Sequence, residues 1–597
     1  GVSAVHKAHL ITSLCMNKNK KAFVIASNEP EAYKFVNDFT AMGCRAFLYP
    51  VRDYTFRDIE GQSSEYTHNR LEVLANITYG LFDVIVFCID AAMQLTIPKD
   101  MLEVNTLELH AQDDITIEDL CIDLLHLGYE RTSKVEGIGQ FSIRGDIIDF
   151  FTPNSPQPTR IELWGNTIDT ISQFELDTQR RIQTINYIRV IPTTEILIDD
   201  KYALAEKIEA LAKNLKGKHA VTATNILHMQ AQQLRDGLIP SSQDKFLTLV
   251  YNTQETILDY MDKDIMLFLS EPAKVRDRVS STTWRWHEDL KGLLESGDLC
   301  RGLDDFWKDS IYLENHLRNH GVIYLDMFVH QGYSIPIRDS VNFTAIQLSS
   351  WSGSFALLCD DLKSTDIAKM KCAVLAGTDK AARSLAEDLV NADIPTQYSD
   401  NINELQSGIV TVLPGTLSAG FEYPLIYTKV ITHGQITQKR HSTPHKQKHT
   451  KNIYNLSELT VGDCVVHTSH GIGIFNGVKK ITMNGIVKDY ITISYDKGDI
   501  LYVPVTQLDL VSKYVGSYEN TSIKLNKLGT NDWKKTKSRV RANVKDIADH
   551  LIKLYTERMK TKGYCFSKDN EWQKDFERHF EYDETDDQLR CIQEIKH

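Results

Sequence analysis

The sequence predicts a multidomain protein of the α/β class that carries an antiparallel insert. Its 597 residues are too many for a single hydrophobic core, and at about 100–200 residues per domain we expect about four to six domains. Continuous apolar runs such as KAFVIAS (21–27) and FDVIVFCI (82–89) alternate with helical patterns, which is typical of buried parallel strands joined by helices. From about 106 to 190 the pattern changes to short strands broken by Gly, Asn and Pro, which predicts a small antiparallel-rich insert.

Further shifts in pattern divide the chain into eight segments. In order, they are the first part of a P-loop-like α/β domain (1–105), the insert (106–190), the second part of the P-loop-like module (191–350), a small α/β domain (351–433), a basic linker (434–457), a small β-barrel (458–520), a long linking helix (521–562) and a final helical segment (563–597).

Helical patterns with an apolar face follow the buried runs in the α/β segments. NEPEAYKFVNDFTAMG (28–43) and SEYTHNRLEVLANITYG (64–80) each end at a glycine, which is a common helix stop. KYALAEKIEALAKNL (201–215) and AARSLAEDLVNA (381–392) repeat this pattern in the later segments, so we expect helices against parallel sheets there too.

The segments after residue 433 differ from one another in composition. QKRHSTPHKQKHTKN (438–452) is basic and has no periodicity, so we expect a solvated linker, with a DNA-touching strap as the alternative. The turns MNGI (483–486) and YDKGD (495–499) predict hairpins and, with them, a small barrel of the Tudor type. Apolar residues from Trp533 to Leu554 recur at helical spacing and predict one long helix over about 531–562.

The first eight residues read as a damaged P-loop. Gly1 and Lys7 stand at the separation that a P-loop requires, but His6 replaces the second glycine and Ala8 replaces the hydroxyl that binds Mg²⁺. The strand that would carry a paired Asp-Glu ends with only one carboxylate, Glu271. We therefore interpret Gly1, Lys7 and Glu271 as a degenerate nucleotide site, whereas a chance match remains the alternative for the octet alone.

Composition excludes several functional classes. The hydrophobic fraction of 42% and the charged fraction of 25% are ordinary for a globular protein. A net charge of −13 indicates that the whole molecule is not an electrostatic nucleic-acid binder, so any DNA contact is local or lies outside this chain. Ten cysteines without a C-x-x-C pair argue against a zinc site and a disulfide framework.

The same sequence gives no sign of a membrane or export segment. The apolar run DVIVFCIDAAMQL (83–95) is too short to cross a bilayer and contains Asp90, and no signal peptide is present. We therefore expect a cytoplasmic protein with no membrane partner. Because the chain begins inside a motif and ends inside a helical pattern, we also expect a fragment at both ends.

Four stretches, taken in order, resemble one protein family. Residues 141–180 resemble the insert domain shared by the excision-repair protein UvrB and the bacterial transcription-repair coupling factors. The stretch from 458 to about 516 resembles the RNA-polymerase-interacting domain of the coupling factors, and 527–566 resembles the helix that follows it. YDETDDQLRCIQEIK (582–596) resembles the Q-motif entry to their motor. UvrB is similar to the first 350 residues only, so the coupling factors are the family that the whole chain resembles.

The resemblance implies a function in transcription-coupled repair. Family members recognise RNA polymerase stalled at DNA damage, release it with an ATP-driven double-stranded DNA translocase, and recruit UvrA for nucleotide excision repair. ATP and Mg²⁺ are thus implied for the full-length family. This chain ends before any motor P-loop, so we expect a monomeric docking platform without catalytic residues, tight cofactor binding or ATP hydrolysis. It would reach double-stranded DNA only through the missing motor.

The resemblance assigns UvrA binding to three residues of the insert. Arg144, Arg160 and Trp164 match the UvrA-facing positions of the family. Arg160 and Trp164 are four residues apart, which places them on one face of a strand, and an arginine beside a large aromatic residue is a common hot-spot pair. The alternative, from the residues alone, is a core Trp164 with solvated arginines.

The resemblance also assigns RNA-polymerase binding to one strand of the barrel. Family members bind the polymerase β subunit by adding an edge strand to its sheet, and GVKKITM (477–483) matches the contact region. The matching residues are Lys479, Lys480, Ile481 and Thr482, with Ile481 as the central position. The alternative is that Ile481 points into the barrel.

Two further pairs carry weaker signals. Tyr582 and Gln588 fit the adenine-binding part of a helicase Q-motif, with an ordinary helix start as the alternative. His467 and His470 lack a Cys or carboxylate pair, so we predict no metal site and a structural turn that ends at Gly471.

Two other functions remain open at this point. A UvrB-like damage-binding ATPase or helicase would need a working P-loop and a paired Asp-Glu, and the sequence contains neither. A transcription factor built around the barrel alone would leave the UvrB-like module without a role.

Overall fold

The computed structural model describes most of the chain between Ala4 and Lys596. The described residues are 4–54, 56, 64–216, 220–327, 332–351, 354–433, 462–483, 486–504, 510–514, 525–528, 533, 535–536, 539–540, 558, 571–573 and 586–596. The predicted linker (434–457) and most of the predicted long helix (521–562) lie outside them, as do Gly1 and Tyr582.

The first segment alternates helices and parallel strands. Its elements are α1 (Ala4–Lys18), β1 (Ala22–Ala26), α2 (Glu29–Ala41), β2 (Ala46–Tyr49), α3 (Glu65–Thr78), β3 (Val84–Cys88), α4 (Ile89–Ala92) and α5 (Lys99–Val104). Every residue of β1 and β3 is buried, because apolar clusters cover both faces of the sheet. Asn28 caps the N-terminus of α2, since its side chain accepts a hydrogen bond from Glu31 N, and Pro30 lies in the first turn of the helix.

The insert is a six-stranded sheet flanked by a two-stranded ribbon. Its elements are β4 (Leu107–His110), α6 (Ile117–His126), β5 (Glu130–Arg131), β6 (Gln140–Arg144), β7 (Ile147–Phe150), β8 (Thr159–Trp164), β9 (Thr167–Phe174), β10 (Arg181–Ile185) and β11 (Tyr187–Val190). The sheet order is β10-β9-β8-β7-β6-β5, and only the β5–β6 pair is parallel. The ribbon pairs β4 with β11, so the chain enters and leaves the insert side by side.

The next segment returns to the first sheet. Its elements are α7 (Lys201–Asn214), α8 (Ala220–Arg235), α9 (Leu247–Val250), β12 (Met266–Ser270), α10 (Pro272–Ser296), α11 (Ser310–His320), β13 (Ile323–Leu325) and β14 (Ile346–Leu348). Strands β12 and β13 complete a parallel sheet of order β13-β12-β1-β3-β2. The insert therefore separates the strands of this sheet in the sequence, although they are neighbours in the structure.

A second α/β unit follows. Its elements are α12 (Phe355–Ser364), β15 (Lys371–Leu375), α13 (Asp379–Asn391), β16 (Thr396–Tyr398), β17 (Val410–Leu413), β18 (Gly420–Tyr423) and β19 (Thr428–Thr432). The sheet order is β14-β18-β19-β15-β17-β16, with β19 to β16 parallel and the β14 side antiparallel. Because β14 pairs with β18, this sheet begins before residue 351, the boundary expected from the sequence.

The last sheet is antiparallel. Its elements are β20 (Cys464–His467), β21 (Gly471–Met483), β22 (Ile486–Ser494), β23 (Ile500–Pro504) and β24 (Val511–Lys513), and α14 (Asp586–Lys596) follows near the end of the chain. The order is β23-β22-β21-β20-β24. Over the described residues no pairing joins β23 to β24, so the expected barrel is seen here as an open five-stranded ladder. In the part of the chain described, no helix combines the length and apolarity that crossing a bilayer requires.

Candidate functional site

Lys7, from the predicted damaged P-loop, meets the end of β12 in space, although 264 positions separate it from Glu271. The Lys7 ammonium forms an ion pair with Glu271 at 2.5 Å and donates a hydrogen bond to Ser270 Oγ at 3.0 Å. Ser270 Oγ in turn donates to Glu31 Oε1 at 2.7 Å. We call Lys7, Glu31, Ser270 and Glu271 the remnant site. Gly1, the third residue expected here, lies outside the described residues.

Besides Ser270, Glu31 is a member of the remnant site that the sequence analysis missed. It lies in the first turn of α2 and accepts hydrogen bonds from Ser27 N at 2.9 Å and Ser27 Oγ at 2.6 Å. Burial raises the pKa of Glu31, but the bonds from Ser27 and Ser270 and the charge of Lys7 outweigh burial, so the pKa lies below its ordinary value. The pattern Asn-Glu-Pro-Glu was a usable signal, since a glutamate in the first helical turn often bonds back to the preceding backbone.

Replacing Glu31 with Gln should destabilise the module in a pH-dependent way. We expect the free energy of unfolding to fall by about 1.5–3 kcal/mol at pH 7, because Gln loses the charge-assisted hydrogen bonds. A carboxyl whose folded pKa is lowered stabilises the fold above its unfolded pKa of about 4.3 and loses that contribution as the pH falls through the folded pKa. Urea unfolding from pH 3 to 7 should therefore show the two proteins converging at the acid end. A constant difference over that range would contradict the assignment.

The start of helix α1 is covered by the second α/β unit. The His6 ring is buried against Phe421 and Tyr423, with ring centroids 5.7 and 5.5 Å away, and burial lowers the pKa of His6. On the neighbouring helix, Asp38 accepts hydrogen bonds from Ser418 N at 2.8 Å and Ser418 Oγ at 2.6 Å. The two α/β units therefore share an interface that is aromatic along α1 and polar at α2.

The residues of the remnant site do not fit Mg-ATP. Ala8 offers no hydroxyl for a metal ion, and its side chain is buried in the apolar cluster beneath the sheet. The Lys7 ammonium, which would bind phosphate in a working P-loop, is already neutralised by Glu271. The arrangement is that of an internal ion pair that holds α1 to β12.

The insert brings Arg144 and Arg160 together but leaves Trp164 by itself. The side chains of β8 alternate between the core and the opposite face, and Arg160 and Trp164 lie on the same, non-core face. Trp164 is 84% exposed and stands at the end of β8, next to the turn at Gly165. Between the two lies Glu162, which forms an ion pair with Arg181. We call Arg144, Arg160 and Trp164 the insert surface.

Asp149 connects the two arginines and was missed by the sequence analysis. It is 1% exposed, and its Oδ1 accepts a hydrogen bond from Arg160 Nε at 2.7 Å. Its Oδ2 accepts from Arg144 Nη2 at 2.6 Å and from Arg160 Nη2 at 3.0 Å. The hydrogen bond to Asp149 raises the pKa of Arg160 above its ordinary value. An acidic residue inside the apolar run IIDFF (147–151) was the available signal, because buried carboxylates require partners.

The predicted polymerase-binding residues lie on one edge of the last sheet. Strand β21 pairs with β20 only over Gly471–Ile474, and with β22 as far as Met483. Among the described residues no strand pairs with the other side of Val478–Met483, which we call the β21 edge. A bulge separates the two parts of the strand. Lys479 is exposed, whereas the side chains of Lys480, Ile481 and Thr482 lie outside what the structure describes.

The paired histidines belong to a turn of the same sheet. The centres of the His467 and His470 rings are 4.8 Å apart. The pKa of His467 is lowered to about 4, mainly by burial and to a lesser extent by the charge of His470. Gly471 has a φ of +84°, and a Cβ there would lie 2.5 Å from Asn526 Oδ1, so the turn requires glycine. No group of three or more His, Cys, Asp or Glu side chains in the described ranges is arranged to hold a metal ion.

The Q-motif pair is only half described. Gln588 lies in α14, and Tyr582 lies outside the described residues. The adenine-binding role of this pair therefore stays a prediction.

A buried ion network lies where the insert returns to the first module. Glu195 is fully buried and accepts hydrogen bonds from Arg70 Nε at 2.7 Å and Thr96 Oγ1 at 2.8 Å. Arg52 lies 3.5 Å from the same carboxylate and forms a second ion pair with Asp244. These five residues come from five separated parts of the sequence, so the network fixes the connection between the insert and its module.

Comparisons with known proteins agree with this layout. The family described as the UvrB interaction domain matches residues 107–196, and that described as the CarD-like/TRCF RID domain matches residues 459–515. The transcription-repair-coupling factor of Bacillus subtilis is 34% identical over 609 residues, which cover 100% of this chain and 51% of the relative. Those of Staphylococcus epidermidis and Staphylococcus aureus are 29% and 28% identical, each over 100% of this chain and 52% of the relative.

The match extends over the whole chain, whereas the chain spans about half the length of these relatives. It confirms the resemblance predicted from the insert and from the region around β20–β24. Over its whole length the chain is therefore a homologue of the transcription-repair-coupling factors, and it spans about half of their length.

Proposed function

We propose that this chain is the docking part of a transcription-repair coupling factor. It joins RNA polymerase stalled at a DNA lesion to the excision-repair protein UvrA. We place this activity in the cytoplasm. Release of the polymerase from DNA, which requires ATP and Mg²⁺, is assigned to the part of the relatives that this chain does not cover. The chain acts as a monomer and meets double-stranded DNA through that other part.

The observation that supports the proposal is the presence of both matched domains in one chain, each with an accessible element. The matched UvrB interaction domain includes the insert surface, with Trp164 exposed. The matched CarD-like domain includes the β21 edge. An unpaired strand edge presents backbone donors and acceptors to a partner sheet, and the β subunit of the polymerase is the partner that we assign to it.

The alternative of a UvrB-like ATPase or helicase receives no support from the remnant site. A phosphate group would have to displace Glu271 from Lys7, and no hydroxyl is present at position 8 to hold Mg²⁺. We therefore assign this site a structural role and propose that the chain does not hydrolyse ATP by itself.

A bridging assay tests the proposal. RNA polymerase immobilised on a sensor should retain UvrA only when this chain is added, and Trp164→Ala should abolish UvrA retention while leaving the chain bound to the polymerase. Trp284→Ala, at another exposed tryptophan on α10, is the matched control and should change neither step. Failure of the wild-type chain to bind either partner would overturn the proposal.

A further inference from the structure

The two arginines of the insert surface face different surroundings. The Arg160 side chain is only 17% exposed, and its guanidinium lies 4.6 Å from the centre of the Phe174 ring. Its Nε and Nη2 donate to Asp149, and its Nη1 donates to the Gln179 carbonyl oxygen at 3.3 Å. The Arg144 side chain, in contrast, is 53% exposed. Arg160 is therefore committed to the protein itself, whereas Arg144 reaches the solvent.

Asp149 stands between them in the sheet. It is opposite Ser142 on β6 and opposite Arg160 on β8, and Arg160 is in turn opposite Ser172 on β9. Ser142 and Ser172 are buried, so this row is closed to water on both sides of the Asp149–Arg160 pair. A carboxylate in such a place needs Arg160 as its counter-charge, and its remaining hydrogen-bonding capacity is directed to Arg144.

We propose that Asp149 is the positioning residue of the insert surface. Arg160, on the neighbouring strand β8, neutralises the charge of Asp149. Asp149 in turn fixes the Arg144 guanidinium by accepting a hydrogen bond from its Nη2. Arg144 and Trp164 then make the contact with the partner. Within the described residues only Nη2 of Arg144 is used, so Nε and Nη1 remain to bind an acidic side chain in the bidentate manner that arginine favours. The inference rests on the proposed function in taking UvrA as that partner.

A double-mutant cycle separates positioning from direct contact. Titrations of purified UvrA would be compared for the wild-type chain, Arg144→Ala, Arg160→Gln, Asp149→Asn and the double variants. Loss of a charge-assisted hydrogen bond predicts about tenfold weaker binding for each single variant. Because Asp149 and Arg160 act through Arg144, adding either change to Arg144→Ala should weaken binding no further. Losses that multiply would overturn the inference by placing Arg160 in contact with UvrA.

A second measurement needs no partner. Modification of Arg144 by phenylglyoxal, followed by peptide mapping, should be faster in Asp149→Asn than in the wild-type chain and should return toward the wild-type rate in Asp149→Glu. Asp83→Asn, which breaks the exposed Arg45–Asp83 pair of the first module, is the matched control and should leave the Arg144 rate unchanged. An unchanged rate in Asp149→Asn, in a variant that melts at the wild-type temperature, would overturn the positioning role.

These measurements distinguish the two proposals. A wild-type chain that fails to bind UvrA overturns the proposed function, and the Arg144 modification rate then decides the role of Asp149. If the wild-type chain binds UvrA but the losses of affinity in the double variants multiply, the proposed function stands and only the positioning role of Asp149 is removed.

Discussion

Replacing Glu195 with Ala is expected to lower the free energy of unfolding by about 3–5 kcal/mol, because it leaves a buried cation without its counter-charge. Arg70 is fully buried and has Glu195 as its carboxylate partner at 2.7 Å, and its guanidinium lies over the Tyr49 ring. Burial raises the pKa of Glu195, but the charges of Arg70 and Arg52 outweigh burial and hold the pKa below its ordinary value. Glu195 is thus ionised in the folded protein at neutral pH.

Urea unfolding followed by tryptophan fluorescence measures this loss. Glu195→Gln keeps the shape of the side chain and removes only the charge, so it should lose most of the same free energy. Glu314→Ala is the control, because Glu314 forms an exposed pair with Arg318 one helical turn away and such pairs contribute about 0.3–0.5 kcal/mol. Equal effects of Glu195→Gln and Glu314→Ala would mean that the network does not hold the module together.

Replacing Ile481 with Arg is expected to weaken capture of RNA polymerase by at least about thirtyfold. In the proposed complex the β21 edge pairs with a strand of the polymerase, so a charge at its centre would be buried without a partner, at a cost of about 2 kcal/mol or more. The position lies opposite Lys488 within the regular part of the β21–β22 ladder. Affinity would be measured by titrating the chain onto immobilised polymerase.

The opposite edge of the same sheet supplies the control. Ile500 begins β23, is exposed, and pairs only with β22 over the described residues, so Ile500→Arg places the same charge on the other side of the ladder. Polymerase binding should be unchanged in that variant. Equal losses in both variants would indicate damage to the sheet, and no loss in either would move the polymerase contact away from the β21 edge.

Much of the fold follows from local sequence pattern. The strands β1 and β3 were predictable because parallel strands covered on both faces must be apolar throughout, and the antiparallel insert because its strands alternate and are separated by turn residues. The approach of Lys7 to Glu271 was predictable only from the motif, since nothing local links residues so far apart. Sheet membership at the domain edge was not predictable: β14 is three residues long, and its partner β18 decides where it belongs.

Among the site residues too, local pattern predicts some features, whereas others depend on distant parts of the chain. Alternation along β8 predicts that Arg160 and Trp164 share a face, but it does not reveal that Asp149 turns Arg160 inward while Trp164 stays exposed. That outcome depends on which strand lies next to β8, which is a property of the whole sheet. Glu195 illustrates the point further, because its partners Arg70 and Arg52 lie more than 120 residues away in sequence.

The interface that α1 and α2 share with the second α/β unit has a mechanical consequence. Here the Lys7–Glu271 pair fastens one side of α1, and the Asp38–Ser418 bonds fasten the neighbouring helix to the second unit. We therefore expect the two α/β units to move as one body rather than to hinge at α1 and α2.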